Sequence, residues 1–242
     1  MWLKLTTNYS PNFSLPKRKK KTIKFIIIHY TGMIKEKLAI EKLCDNKSGV
    51  SAHYFIKKNG YVINLVPDLY EAWHAGKSRW GKFKSLNKNS IGIEIQNPGH
   101  ENRYEKFTSM QITVLKKLLK GLVSSYRINK KNILGHSDIA PYRKMDPGEK
   151  FPWKNLSKYN LALWHNLNDK KIKKFRLLKL NKKDEKKFLK IINKIGYKFI
   201  GASKLDHNKT IIKAFQRRFR QSLINGIADK ECLMISQSLL KQ

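Results

Sequence analysis

The segment from Gly135 to Gly148, GHSDIAPYRKMDPG, places a histidine, a lysine and two aspartates in a turn-rich stretch with two prolines. A second histidine, His29, ends a continuous apolar run, KFIIIHYTG. If the fold brings His29, His136 and Asp146 together, two imidazoles and one carboxylate supply three ligands for Zn²⁺ and leave the fourth tetrahedral position open. That is the arrangement of a catalytic zinc site.

A zinc ion in such a site lowers the pKa of a bound water toward ~7 and polarises a carbonyl oxygen, which makes an amide bond the natural substrate. The reaction also needs a base to take up a proton, and Glu94 is placed for this role. A cation must stabilise the oxyanion, and Lys144 lies two residues before Asp146. The segment therefore predicts zinc-assisted amide hydrolysis.

Each of these residues also has an ordinary structural explanation. A histidine at the end of a strand is commonly a satisfied structural group, and Asp146 before Pro147 is a common turn former. A glutamate on an alternating strand, such as Glu94, is commonly solvated. The two histidines lie in different elements and no HExxH-like pattern defines their geometry, so spacing alone leaves both interpretations open.

The strands that must position these residues are visible in the sequence. The run KFIIIHYTG predicts a central strand buried on both faces and closed by Gly32. The stretch SAHYFIKKNGYVINLV predicts a hairpin around Asn59-Gly60. In SIGIEIQNPG the isoleucines alternate, so they share one strand face and Glu94 lies on the other.

Helices are predicted between these strands. A short one is expected around Glu36 to Asn46, and FTSMQITVLKKLLKGLVSSY has apolar residues at helical spacing. Thr108 and Gln111 fit a capping box at the start of the second helix. A short return strand from Asn132 to Gly135 then delivers His136 into the opening motif.

Composition restricts the function less than the motifs do. Lys+Arg 52 against Asp+Glu 17 gives a formal net charge of +35, which attracts nucleic acid, anionic membranes and acidic polymers alike. Scattered, solvated lysines explain the same number, and no specific nucleic-acid-binding motif is present. Cys44 and Cys232 are far apart and outside any CxxC pattern, so neither a disulfide framework nor a cysteine zinc site is expected.

Several motifs in order resemble the type-2 N-acetylmuramoyl-L-alanine amidases, whose fold is shared with peptidoglycan-recognition proteins. The resemblance runs from Phe25 to about Trp153. The motifs are IIIHYTG, VSAHYFIKKNGYVINLV, AWHAG, SIGIEIQNPG and GHSDIAPYRKMDPG. The resemblance implies a zinc hydrolase that cleaves the amide between N-acetylmuramic acid and L-alanine of the stem peptide in peptidoglycan or muropeptides.

The resemblance also implies roles for single residues. By matching motif, His29, His136 and Asp146 correspond to the zinc ligands, Glu94 to the catalytic glutamate and Lys144 to the lysine that stabilises the transition state. Residues predicted to contact the substrate are Trp73, His74, Ala75, Asn97 and Arg143. A structural role remains an equal alternative for His74, and His53 is predicted to be a core histidine or one that lies behind the zinc ligands.

The C-terminal stretch TIIKAFQRRFRQSLINGIADKECLMISQSLL resembles a small three-helix peptidoglycan-binding domain, with AFQRRF and GIAD as its marks. The alternative is a helical appendage that packs on the catalytic domain. The spacer from Arg176 to Lys187 is unusually basic, so the binding groove of that family is not assumed to be intact.

The predicted fold is α/β, with a mixed central β-sheet flanked by helices and a small all-α domain after it. The predicted divisions are an N-terminal extension over residues 1–22, a zinc amidase domain over 23–168, and a basic linker with a three-helix domain over 169–242.

Other predictions stay open between alternatives. A recognition protein without catalysis is the competing function, and the complete set of zinc and catalytic residues favours the enzyme. The N-terminus shows no signal-peptide run and no segment approaches the ~20 apolar residues of a membrane span. This favours the cytoplasm, whereas a polymer-binding domain favours the cell envelope. No oligomeric state is predicted.

Overall fold

The structure is a computed structural model that describes residues 5–198 and 204–242, with the backbone alone at residues 5–7 and 204–207. The strands are β1 Leu5–Thr7, β2 Phe13–Ser14, β3 Phe25–Tyr30, β4 Tyr54–Ile56, β5 Val62–Asn64, β6 Glu71–Ala72, β7 Arg79–Trp80, β8 Phe83–Lys84, β9 Ser90–Ile95 and β10 Ile133–Gly135. The α-helices are α1 Glu36–Cys44, α2 Ser109–Tyr126, α3 His136–Ile139, α4 Trp153–Ser157, α5 Asp169–Ile172, α6 Lys182–Ile195, α7 Lys204–Phe219 and α8 Lys230–Leu240. Within the described ranges, no helix is both long and apolar enough to cross a bilayer.

A mixed six-stranded sheet forms the centre of the molecule, in the order β1-β5-β4-β9-β3-β10. Strands β4, β9, β3 and β10 run parallel to their neighbours, whereas β4 and β5 form the antiparallel hairpin that the Asn59-Gly60 pair predicted. The mixed central sheet confirms the predicted fold class. Because the four parallel strands end at one edge, residues at their carboxyl ends meet there.

One face of the sheet is covered by α2. This helix begins after Thr108, which forms the predicted capping box with Gln111. Ile26 and Ile28 of β3 share a buried cluster with α2, together with the isoleucines of β9. The strand and helix periodicities seen in the sequence therefore correspond to one continuous apolar layer.

The opposite face of the sheet is covered by two separate groups of helices. Near β4 and β5, α1 packs Ala39 and Leu43 against Phe55. Near β3 and β10, the C-terminal helices pack Phe188 and Phe215 in one cluster with residues of the sheet. The candidate site lies on this face, at the carboxyl ends of the strands.

The C-terminal region contains the three helices α6, α7 and α8, preceded by the short α5. The predicted linker is therefore partly helical, since α5 begins at Asp169 and α6 at Lys182. The first residues of these two helices could not be predicted from sequence, because solvated lysines are equally common in linkers and on exposed helix faces. The region packs on the rest of the molecule at two places: Phe215 shares a buried cluster with Phe25 of β3, and the ring centroid of Tyr197 lies 4.8 Å from that of Trp80 in β7.

The N-terminal residues differ from the predicted extension over the part that the structure describes. Strand β1 pairs with β5 and adds an edge to the main sheet, while β2 pairs with β6. Asn12 is buried and its amide donates to the carbonyl oxygens of Asp45 and Val50. These strands are two and three residues long, too short for a periodic pattern to appear in sequence.

Candidate active site

Two neighbouring parallel strands place the first pair of site residues side by side. His29 of β3 lies directly opposite Glu94 of β9 in the register, so both side chains project from the same sheet face. On the other side of β3, strand β10 runs into α3, whose first residue is His136. The loop after α3 returns to the same edge and contributes Asp146. Four residues separated in sequence thus meet at one point.

The three predicted zinc ligands are brought together by this topology. His29 Nδ1 lies 2.9 Å from His136 Nδ1 and 3.0 Å from Asp146 Oδ2, and His136 Nδ1 lies 3.1 Å from the same oxygen. All three side chains are buried. Burial raises the pKa of Asp146, but His136 and His29 outweigh it and hold the pKa below its usual value. The aspartate is therefore a carboxylate.

A chain of hydrogen bonds assigns the tautomer of His29. The Ser90 hydroxyl donates to the carbonyl oxygen of Leu86 at 2.6 Å and so accepts from His74 Nε2 at 3.2 Å. His74 Nδ1 is then an acceptor for His29 Nε2–H at 3.0 Å. This leaves a free lone pair on His29 Nδ1, the atom that faces Asp146.

His136 is oriented in the same way by a backbone group. Its Nε2 lies 3.2 Å from the carbonyl oxygen of Ala75, which can only accept, and 3.3 Å from Nη2 of Arg143, which can only donate. When Nδ1 binds a metal through its lone pair, Nε2 carries the ring proton and donates it to Ala75. Burial lowers the pKa of His29 to about 4, with His136 contributing, so this ring is neutral at pH 7.

This donor set fits a zinc ion. Two imidazole nitrogens and a carboxylate oxygen lie within hydrogen-bond distance of one another. A cation between these three atoms would accept a lone pair from each. The separations are within a few tenths of an ångström of the roughly 3.3 Å expected between ligands of a tetrahedral zinc. His29, His136 and Asp146 would hold the metal.

Gly92 makes room for the hydrogen-bonded chain behind His29. It lies between Ser90 and Glu94 on the same face of β9, and a Cβ added there would be 2.4 Å from Cγ of His74. The imidazole of His74 occupies the place where a side chain would be. A glycine inside a strand often marks such a close approach, so Gly92 is the sequence feature that could have indicated a structural role of His74.

Glu94 lies beside the ligands in a poorly solvated position. Its register neighbours are His29 and the buried Phe55, and its Oε2 is buried without a hydrogen-bond partner among the described residues. Burial raises the pKa of Glu94 well above its usual value, and Asp146 adds to the rise while Lys144 opposes it. The predicted base is therefore close to the metal ligands and held ready to take up a proton.

A cavity of about 400 Å³ opens above these residues. Its lining includes all three ligands, Glu94 and Lys144, so the predicted catalytic residues face one space. The rim is formed by the segments after β3 and β9, with Tyr30 and His100 joined by a 2.9 Å hydrogen bond. A substrate entering this cavity meets the ligand triangle and the base together.

Of the five residues predicted to contact substrate, all in described parts of the chain, three line the cavity and two do not. Trp73, His74 and Arg143 line the cavity, but His74 is buried and bonded to His29, while Arg143 donates to the carbonyl oxygens of Ala75 and Lys77.

The other two are placed differently. In the described part of the chain, neither Ala75 nor Asn97 is on the cavity wall: Ala75 is fully buried, and the Asn97 amide donates to the Glu105 carbonyl oxygen at 3.0 Å.

Comparison with known proteins gives a consistent result. The family model described as N-acetylmuramoyl-L-alanine amidase matches residues 19–149. N-acetylmuramoyl-L-alanine amidase AmiD of Escherichia coli K12 is 33% identical over 232 residues, covering 91% of this chain and 83% of the relative. The 1,6-anhydro-N-acetylmuramyl-L-alanine amidase AmpD of the same organism is 39% identical over 104 residues, which is 43% of this chain and 55% of that protein.

Solved structures extend the likeness to the C-terminal helices. The E. coli AmiD complex with the substrate anhydro-N-acetylmuramic acid-L-Ala-D-gamma-Glu-L-Lys superimposes with a TM-score of 0.81 at 30% identity, covering 94% of this chain and 91% of that one. AmpDh3 of Pseudomonas aeruginosa gives a TM-score of 0.79 at 29% identity, with 94% of each chain covered.

The matched region contains the whole ligand triangle, since the family model spans His29 to Asp146 and the triangle has the donor atoms that a zinc hydrolase requires. The overall likeness to AmiD covers the C-terminal helices as well. The chain belongs to the type-2 N-acetylmuramoyl-L-alanine amidases, a family of zinc hydrolases.

Proposed function

We propose that this protein hydrolyses the amide bond between the lactyl group of N-acetylmuramic acid and L-alanine, with Glu94 and Lys144 as its catalytic residues. The observation that carries the proposal is the convergence of His29, His136 and Asp146 beside Glu94 on one wall of a single cavity. A recognition protein would need the cavity. It would not need a buried carboxylate oxygen without a hydrogen-bond partner beside a cation site, because burying such a group costs stability.

A Zn²⁺ ion held by His29, His136 and Asp146 would polarise the scissile carbonyl and lower the pKa of the attacking water. The protein's contribution is to keep both imidazole lone pairs directed at that ion. His74 and the carbonyl oxygen of Ala75 do this by accepting the opposite ring protons.

Glu94 moves the protons of the reaction. Its raised pKa makes Glu94 a stronger base than an ordinary carboxylate, so it can take a proton from the attacking water and then give it to the departing amine of L-alanine. Its position beside His29 in the strand register keeps it on the ligand side of the cavity.

Lys144 stabilises the negative charge that develops on the former carbonyl oxygen. It lines the cavity two residues before Asp146, and its charge is close enough to lower the pKa of Glu94. An ammonium in a partly dry cavity interacts more strongly with an oxyanion than it would in water.

The substrate we propose is an anhydro-muropeptide or a muramyl-peptide end of murein. The AmiD and AmpDh3 neighbours were solved with an anhydro-muramyl tripeptide and an anhydromuramic pentapeptide. We further propose the cell envelope as the working compartment, since a helical unit resembling a peptidoglycan-binding domain is useful where polymer is present. Fractionation of cells expressing a tagged protein tests the compartment.

The activity is tested by incubating the zinc-loaded and the chelated protein with murein sacculi and with soluble anhydro-muropeptides. Mass spectrometry should detect peptides with a free L-alanine amino terminus only in the zinc-loaded samples. The preferred substrate is the one from which peptide is released faster. If the protein binds murein but releases no peptide, it is a recognition protein and not an amidase.

A further inference from the structure

Asp138 is a buried carboxylate that the reaction described above does not use. It lies two residues after His136 in α3 and is 1% exposed. Its Oδ2 accepts the backbone N–H of Gly135 at 2.8 Å, which closes the turn between β10 and α3. That turn presents His136 to the other ligands.

The remaining partners of Asp138 come from the C-terminal helices. Arg218 of α7 donates to Oδ2 at 2.6 Å, and the Tyr197 hydroxyl, just after α6, donates to Oδ1 at 2.5 Å. Arg218 also donates to the carbonyl oxygen of Ile133 in β10 at 2.9 Å, and its guanidinium lies 4.0 Å from the ring centroid of Trp153. Arg218 is 3% exposed and Tyr197 is fully buried.

The turn therefore depends on groups outside the family-matched region, which ends at residue 149. A buried carboxylate that loses its cationic partner is strongly unfavourable, so the turn must move to bring Asp138 to water. The same turn is tied to a second ligand, because the Ser137 N–H donates to the Asp146 carbonyl oxygen at 2.8 Å. Displacing it would disturb two corners of the ligand triangle.

We infer that Arg218, assisted by Tyr197, is a positioning residue for the metal site, so that the C-terminal helices complete the active site from behind in addition to any contact with murein. The inference rests on the proposed zinc-dependent function. Loss of either partner reduces metal affinity through Asp138 and the turn, although neither residue touches the metal ligands.

Arg220 provides a matched control two residues away. It is also 3% exposed and also pairs with buried carboxylates, in this case Asp229 and Glu231. Those carboxylates belong to the C-terminal helices and not to the metal-site turn. Removal of Arg220 therefore tests what the loss of a buried ion pair does to stability alone.

The experiment compares full-length wild-type protein with Arg218→Met, Arg220→Met and Tyr197→Phe. Each folded, metal-free protein is titrated with Zn²⁺ against a chromophoric chelator, and the visible absorption of its Co²⁺ form is recorded. We expect Arg218→Met to weaken zinc binding by roughly tenfold, the low end of the range for groups bonded directly to metal ligands, and to alter the cobalt bands. Arg220→Met should stay within about twofold of wild type even where its melting temperature falls.

Equal zinc affinities for Arg218→Met and Arg220→Met would overturn the inference. If Arg218→Met does not fold, Tyr197→Phe decides the question, since it removes one hydroxyl and keeps the ring against Trp80. We expect a several-fold weaker affinity for it, and an unchanged affinity with unchanged cobalt bands would then reject the inference. Failure of the wild-type protein itself to bind zinc would instead reject the proposed function.

Discussion

The two faces of the central sheet are built from the same strands but differ in composition and in use. On the α2 side, β3 contributes Ile26 and Ile28 and β9 contributes Ile91, Ile93 and Ile95, all at 0% exposure. On the other side, β3 presents Phe25, Ile27 and then His29, while β9 presents Ser90, Gly92 and Glu94. Strand alternation separates an apolar layer from a layer that carries ionisable groups.

The difference shows how one short strand serves two needs. Isoleucine-to-helix packing is nondirectional and stabilises the strands in proportion to the area buried. Interactions on the site face are directional. The His29 ring depends on His74 as its hydrogen-bond acceptor, and the His74 ring depends on the space that Gly92 leaves. Changes on the α2 face should therefore lower stability, and changes on the site face should lower activity or metal affinity.

The largest expected effect follows substitution of Glu94. Glu94→Gln should lower kcat by roughly 10²–10⁴-fold, because the side chain can no longer take up a proton. Zinc affinity and melting temperature should remain near the wild-type values, since the amide fits the same space and relieves a buried carboxylate. Peptide release followed by mass spectrometry gives kcat. Glu105→Gln, which changes a surface glutamate paired with Lys58, is the control. A decrease below tenfold would assign the base to another group.

The next effect separates the two roles proposed for His74. His74→Phe keeps a ring of similar size but removes the acceptor of His29 Nε2–H, so zinc affinity should fall roughly 10–100-fold. KM at saturating zinc should change little. If KM rises while zinc affinity is unchanged, His74 contacts the substrate and does not orient His29. Chelator competition and steady-state kinetics on the same protein provide both values.

Two neighbouring residues of β9 test the comparison of the faces most directly. In Gly92→Ala, the new Cβ would lie 2.4 Å from the His74 ring. We expect this overpacking to lower the free energy of unfolding by about 1–3 kcal/mol and to weaken zinc binding. In Ile93→Val, one methylene is lost from the α2 face. We expect the free energy of unfolding to fall by about 0.5–1.5 kcal/mol and zinc affinity to stay unchanged. Denaturant unfolding and zinc titration of both variants measure the two effects. Weaker zinc binding in Ile93→Val would mean that the faces are coupled.

The last expected effect concerns pH and the stability of the fold, not activity. His53, on the site face, is buried, and its Nδ1 accepts the Gly92 N–H at 2.9 Å. Burial, followed by the charge of Arg18, lowers the pKa of His53 to about 3 from 6.5. Between pH 6.5 and 3 the unfolded chain therefore binds a proton that the folded chain excludes. This histidine lowers the free energy of unfolding by up to about 1.4 kcal/mol per unit as pH falls through that window.

Denaturant unfolding from pH 7.5 to 5 measures this dependence. The His53→Asn variant should show a shallower loss of stability with falling pH than the wild-type protein. Parallel curves for the two proteins would contradict the assignment. The comparison of slopes is informative even if the variant is less stable at every pH, because a constant offset does not change a slope.

Long, regular elements could be predicted from sequence because their periodicity reports the environment of each residue. The buried β3, the hairpin at Asn59-Gly60 and the capped α2 are examples. The edge strands β1 and β2 could not, since two or three residues contain no period and their pairing is decided by distant partners. A strand of three residues can be predicted only where a neighbouring signal marks it, as Asn59-Gly60 marks β4 and β5.

The residue types of the candidate site could also be read from the chain: two histidines, two carboxylates and a lysine in recognisable motifs. Their convergence required the register that sets His29 opposite Glu94 and the return of the chain to Asp146. The function of His74 remained divided between substrate and structure, because a hydrogen-bond partner 45 residues away in sequence cannot be seen in a local pattern.

The sequence by itself determined the central strands, the main helices and the chemical groups available for zinc-assisted hydrolysis, because these depend on local periodicity and residue type. Only the tertiary structure decided which nitrogen of His29 faces the other ligands, that Gly92 leaves room for His74, and that Arg218 reaches Asp138 across 80 residues of sequence. These features depend on distances of a few tenths of an ångström between distant segments. Packing of the whole chain sets such distances, and no single segment encodes them.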